Sequence, residues 1–253
     1  MSEWWLVYLA IGAVVGFLAG LLGIGGGAIM VPLLAWAYRA QGMPDAEVLH
    51  LALGTSMATI FFTSASSMRA HHRHGAVDWK VALAVSPGIL AGSFGAALVA
   101  ASLPTRPLAM IFTVLAFAAA TQIFFDLKPR TVRELPGPAG LLGAGAVIGT
   151  ASSLFAAGGA FLTIPFLLWC SVPVRRAIGT AAAVGFPIAI AGSAGYLLKG
   201  FIHWPALALI VVTSMALAPL GARTAYRLPV RRLRMIFALM MFAMATRMLV
   251  TLW

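Results

Sequence analysis

The sequence is short of acid. Glu3, Asp45, Glu47, Asp78, Asp126 and Glu134 are the only six carboxylates in 253 residues, and each stands at the edge of an apolar run. No carboxylate lies deep within one. That argues against a buried cation site, against an Asp or Glu proton relay, and against an intramembrane aspartyl protease or a prenyltransferase with metal-binding aspartates. Cysteine is nearly missing too. Cys170 is the only one; it lies in an apolar run, can form no internal disulfide, and reads as a small packing residue. The cluster His71-His72-Arg73-His74 has no Cys or buried carboxylate beside it, so it reads as a polar loop rather than a metal site. No metal and no cofactor are expected.

What fills the chain is apolar. Hydrophobic residues make up 62% and charged residues 9%, with a mean hydropathy of +0.99, which leaves too little polar surface for a soluble globule of this size. Uncharged runs cover 4 to 38, 48 to 68, 81 to 105, 107 to 125, 135 to 174, 177 to 198 and 200 to 222. A last run, 235 to 253, is broken only by Arg247. Each is long enough for a bilayer core of about 30 Å, which takes roughly 20 helical residues. The expected class is an all-α polytopic membrane protein. The net charge of +11 then reads as basic loops that set orientation, and no nucleic acid is expected as a partner. The opening segment carries no basic stretch and no small-residue cleavage signal, so it is read as structure.

The chain is written twice. Gly12, Gly16, Gly25, Gly26 and Pro32 recur 133 positions later as Gly145, Gly149, Gly158, Gly159 and Pro165. Further on the offset is 125: Gly54-Thr55 matches Gly179-Thr180, Asp78-Trp79 matches His203-Trp204, and Leu103-Pro104 matches Leu228-Pro229. The expectation is one intertwined transporter domain over 1–253, with repeat one at 4–126, a cytoplasmic linker at 127–137 and repeat two at 138–253.

The glycine motifs fall inside the two longest runs, of 35 and 40 residues, too long for one crossing. If each run turns back to its starting side, the seventeen Lys and Arg divide thirteen to four, with only Arg39, Arg106, Lys199 and Arg247 on the minority side. The positive-inside rule prefers that arrangement to the even split that single crossings would give. Each half is then a glycine-broken helical hairpin followed by three crossings, an odd number, which makes the halves inverted repeats. Both termini are expected outside the cytoplasm.

In hydrocarbon a backbone turn must be surrounded by protein or by a polar cavity. Two glycine turns, each opening a short apolar helix, would aim free N–H groups at one another and suit an anion without a buried Lys or Arg. The candidate substrate residues are Gly25, Gly26, Gly27 and Ala28 at the first turn, and Gly158, Gly159, Ala160 and Phe161 at the second. Nearby hydroxyls of Thr55, Ser56, Ser152, Ser153 and Thr180 would complete the site. The competing expectation is an integral membrane enzyme or assembly partner in which these small residues only pack helices. A P-loop is excluded, since no Lys-Ser or Lys-Thr follows either glycine run. His203 is a candidate titrating group at a gate.

GLLGIGGGAIMVPLL at 20 to 34, its degenerate copy ASSLFAAGGAFLTIPFLL at 151 to 168, and AIGTAAAVGFPIAIAGSAGY at 177 to 196 resemble the TauE/SafE sulfite-exporter family. The resemblance covers nearly the whole chain. It implies a multi-pass permease of a bacterial-type inner membrane for sulfite, sulfoacetate or other organosulfonates, with export as the direction. The partners expected are a small organic or inorganic sulfur anion, membrane lipid and a second copy as a homodimer. The second copy reads AAGGA where the first reads GIGGG, which points to unequal roles for the two turns.

Overall fold

A computed structural model describes residues 4–22, 26–125, 133–225 and 230–250. Gly25, residues 127–132 of the expected linker, and Leu228-Pro229 lie outside them. The protein is an all-α polytopic membrane protein, with ten helices and no strand among the described residues. In chain order these are α1 (Trp4–Leu22), α2 (Gly27–Ala40), α3 (Asp45–Arg73), α4 (Trp79–Ser102), α5 (Thr105–Phe124), α6 (Pro138–Phe155), α7 (Ala160–Trp169), α8 (Val174–Leu198), α9 (Trp204–Ala225) and α10 (Val230–Val250). Helices α3, α4, α5, α6 and α8 are each long and apolar enough to cross a membrane. Large aliphatic side chains face outward, among them Leu83, Val114, Val147 and Val212, each 65% to 67% exposed. Such a surface is stable against lipid and not against water.

Both long apolar runs break at their glycines and fold back. With 14 and 10 residues, α2 and α7 are only about 21 Å and 15 Å long at 1.5 Å per residue, short of a full crossing. The reversal can be read from contacts between the two ends of each run. Tyr8 on α1 and Gln41 just after α2 exchange hydrogen bonds at 2.7 and 2.9 Å. At the second run the Arg133 N–H donates to the Trp169 carbonyl at 3.0 Å, and Ser171 Oγ donates to the Arg133 carbonyl at 3.1 Å. Gly26 turns the first break with φ +61°, while Ala156 and Gly158 turn the second with φ +50° and +64°. Ala156 has a Cβ, so its left-handed conformation costs about 1 kcal/mol or more and persists because the surrounding structure holds it.

The hairpins pack through glycine faces. The most extensive helix pairs are α1 with α9 and α4 with α6. Gly12 and Gly16 of α1 lie against the backbone of Ile210 and Ser214 on α9; Gly145 and Gly149 of α6 lie against Val85 and Ile89 on α4. The Gly-x-x-x-Gly spacing removes side chains where the backbones meet, as close packing in a bilayer requires. At the centre α3 and α8 run antiparallel, with Gly54 against Phe201, Met57 against Gly192 and Ser64 against Gly185.

Candidate functional site

The two breaks meet in the protein's interior. Gly27 faces the carbonyl oxygen of Ala156 so closely that no methyl group fits between them, and Ile60 of α3 closes the same spot. Gly159 sits in the same way against the Ala181 carbonyl and the Gly185 backbone of α8. Ala28 and Ala160 are buried behind these glycines, and Phe161 packs edge-on against Phe155 at 5.9 Å. The first N–H groups of α2 and α7 have no partner within their own helices. Each short helix therefore brings the positive end of its dipole to the junction.

The helices that meet here carry buried hydroxyls without partners. The side-chain oxygens of Ser56 on α3, Ser152 and Ser153 on the last turn of α6, and Thr163 on α7 are buried and make no hydrogen bond. Ser153 and Met57 both approach Gly192, which joins α3, α6 and α8 at one point. The same α6 turn is held by the Tyr196 hydroxyl, which donates to the Ser153 carbonyl at 3.3 Å. A buried hydroxyl left unpaired costs about 1 to 3 kcal/mol, so most buried polar atoms in proteins are paired. Those on α3, α6 and α7 leave hydrogen-bonding capacity unused on the helices that flank the two breaks. Ser56, Ser152 and Ser153 are fully buried.

Thr55 and Thr180 are employed differently. The Thr55 hydroxyl oxygen accepts the His203 N–H at 3.0 Å, and the Thr180 oxygen accepts the Asp78 N–H at 2.9 Å. Thr55 accepts a second bond from the Tyr38 hydroxyl at 3.2 Å. Each threonine ties a central helix to the loop that opens α9 or α4. Asp78 and His203 complete the match as helix caps: the Asp78 carboxylate accepts from the Val81 N–H at 3.3 Å, and His203 Nδ1 accepts from the Ala206 N–H at 3.2 Å. His203 packs against both the Tyr8 and Tyr38 rings, with centroids 5.7 and 5.4 Å away, and these two rings also touch each other at 6.3 Å. Burial pushes its pKa below the usual histidine value, favouring the neutral ring that the cap uses.

The cluster expected to be a polar loop is instead the last turn of α3, His71 to Arg73, with His74 as its C-cap, and two of its histidines are committed locally. His74 Nδ1 lies 2.7 Å from the Ala70 carbonyl, and His72 Nδ1 accepts from the Trp79 indole at 3.0 Å. Among the described residues no three His, Cys, Asp or Glu side chains converge on a metal position.

The family model described as sulfite exporter TauE/SafE matches residues 8–248, nearly the whole chain. The chain belongs to the TauE/SafE family. A probable membrane transporter protein of Haemophilus influenzae is 33% identical over 96% of this chain and 97% of its own length. One from Bacillus subtilis is 29% identical over 85% and 87%, and one from Methanocaldococcus jannaschii 25% identical over 95% and 94%. No solved structure matches the chain. Like these relatives, this TauE/SafE protein is a membrane transporter.

Within this TauE/SafE chain the structure sets Gly27 against Ala156, Gly159 against Ala181 and Gly185, and Ser153 with Met57 against Gly192, while Ser56 and Ser152 are buried on the same helices, α3 and α6, without a partner. Thr55 and Thr180 stand apart from these contacts as braces. Thr163 was missed by sequence reasoning, although it lies four residues after Gly159 and so shares its helix face. Thr113 on α5, also buried without a partner, gave no signal in the sequence.

Proposed function

We propose that the protein is a secondary transporter for small sulfur-containing anions, sulfite or organosulfonates, moving them outward across a bacterial-type inner membrane. The observation that carries this reading is the set of unpartnered buried hydroxyls on α3, α6 and α7, the helices that flank the two breaks. An oxyanion needs donors and no neighbouring carboxylate; Ser56, Ser152, Ser153 and Thr163 supply O–H groups, and the starts of α2 and α7 supply N–H groups. The acid-poor sequence keeps opposing charge away. The sulfur chemistry and the outward direction rest on the family's description.

The halves, 4–126 and 138–253, are read as inverted repeats within one domain, joined by a cytoplasmic linker, with both termini outside. Three features support this. The hairpins reverse at their glycines; the equivalent helices α3 and α8 run antiparallel; and the pairs Thr55 with His203 and Thr180 with Asp78 exchange under the offset of 125. In such architectures the substrate lies between discontinuous helices near the midplane, and one repeat moves against the other. The closed junction is then an occluded state, which opens alternately as α3 and α8 shift.

A second reading has its own support. Gly12, Gly16, Gly145 and Gly149 are all filled by neighbouring backbone, so glycine in this chain also serves packing, and a scaffold built that way would carry no substrate. Thermal unfolding of the purified protein against sulfite, sulfate, thiosulfate, sulfoacetate, taurine, acetate and phosphate tests the choice. Stabilisation confined to sulfite or sulfonates is expected, since a ligand of the folded state raises stability by mass action. Indifference to every anion would favour the scaffold.

A further inference from the structure

Two contacts at one end of the central helix pair recur at the other end with the halves exchanged. Gly54 of α3 lies against the Phe201 carbonyl, and Gly179 of α8 lies against the Ala76 carbonyl. One residue further on, Thr55 accepts the His203 N–H at 3.0 Å and Thr180 accepts the Asp78 N–H at 2.9 Å. At the offset of 125, Gly54 becomes Gly179, Thr55 becomes Thr180, Ala76 becomes Phe201 and Asp78 becomes His203. Each end is thus a copy of the other with the two halves swapped.

One contact does not exchange. Phe61 of α3 and Phe186 of α8 are also counterparts at the offset of 125, and their rings stack with centroids 5.2 Å apart and planes at 27°. A residue meets its own counterpart only on the pseudo-two-fold axis that relates the halves. Six positions separate Phe61 from Thr55 and Phe186 from Thr180, about 9 Å along each helix. Because α3 and α8 run antiparallel, the two braces stand on opposite sides of the stack and equally far from it. The residues just before the rings, Ile60 and Gly185, are the ones that Gly27 and Gly159 meet, so the stack stands beside both breaks.

A carrier of inverted repeats passes between inward-open and outward-open states as its repeats trade conformations. Under that trade the brace of Thr55 with His203 and the brace of Thr180 with Asp78 change places, so one opens while the other holds. A contact on the axis maps onto itself and is the same in both states. Flat stacked rings tilt with their helices and stay in contact.

We propose that the stack of Phe61 on Phe186 is the pivot about which the halves rock, and that the Thr55 to His203 and Thr180 to Asp78 braces are the outer and inner gates. This rests on the inverted-repeat transporter reading above.

Cys170→Ala leaves a full chain without cysteine, and three pairs are built on it: Phe61→Cys/Phe186→Cys, Thr55→Cys/His203→Cys and Asp78→Cys/Thr180→Cys. Each is joined in liposomes with the shortest bis-methanethiosulfonate reagent, and sulfite flux is measured before joining, after it, and after reduction. Joining the axis pair should leave flux nearly unchanged, whereas joining either brace should cut it about tenfold or more, reversibly. Reversible loss of flux on joining the axis pair, or flux that survives joining of a brace, would overturn the proposal.

A second measurement needs no crosslink. With Ser152→Cys as the reporter, an impermeant thiol reagent is applied to intact cells and to inverted vesicles. Thr55→Val should favour labelling from outside and Thr180→Val from inside, while Phe61→Leu and Phe186→Leu should favour neither side; one-sided labelling in a leucine variant would equally overturn the pivot. No flux from the unsubstituted protein would instead overturn the transport reading itself.

Discussion

Gly27 and the Ala156 carbonyl touch across the centre of the protein, one from each glycine break, with no space for a Cβ between them. The contact joins residues 129 positions apart and makes the two turns a single feature. Gly27→Val and Gly159→Val should therefore abolish anion flux, because the added carbons meet backbone that cannot swing aside. Gly95→Ala, a helical position with open space around it, should leave flux intact and stabilise α4 by about 1 kcal/mol. Flux per inserted molecule is the readout, and normal transport by both valine variants would remove the junction from the mechanism.

The unpartnered hydroxyls make an unusual prediction. Ser152→Ala and Ser153→Ala delete groups that make no hydrogen bond, so folding should be unchanged or firmer by about 1 kcal/mol, the desolvation cost relieved. Anion affinity should nevertheless fall roughly tenfold for each lost bond worth about 1.4 kcal/mol. Binding titrations alongside unfolding curves separate the two effects. Lower stability with unchanged affinity would mean that the serines only pack.

Thr55 and Thr180 should behave in the opposite way. Thr55→Val and Thr180→Val strand the half-buried His203 and Asp78 N–H groups, at a cost of about 1 kcal/mol each. Thr55→Val should cost more, since Tyr38 loses its acceptor too. Thermal unfolding measures both, and substrate selectivity should not change.

His203 gives the protein a pH dependence of known sign. Its folded-state pKa lies below the unfolded one, so the unfolded chain binds more protons in the interval between them. Stability is complete above about pH 6.5 and declines as pH falls through that interval. Protonation also removes the Nδ1 lone pair that caps Ala206. His203→Asn, which can still cap the helix, should flatten the slope of unfolding temperature between about pH 5 and 7. An unchanged slope would assign the dependence to another group.

Much of this was legible before any coordinate. Glycines inside apolar runs too long for one crossing marked the breaks, and the count of basic residues pointed to reversal, which the Tyr8 to Gln41 hydrogen bonds bear out at the first hairpin. Ser56, Ser152 and Ser153 stood out as hydroxyls beside those breaks. Thr55 and Thr180 were recognisable as an equivalent pair, but the N–H groups that donate to them lie 148 and 102 residues away, and no local pattern reveals a donor at that distance. The same holds for Gly27 against Ala156, a contact made by tertiary packing.

The central claim is that the junction of the two breaks carries anions, and flux through the pure protein in liposomes tests it most directly. Intact protein should move sulfite or a sulfonate down its gradient, and the Ser152→Ala/Ser153→Ala variant, equally inserted, should move it at least tenfold more slowly. No flux from the intact protein with any sulfur anion, or equal flux from both proteins, would contradict the account.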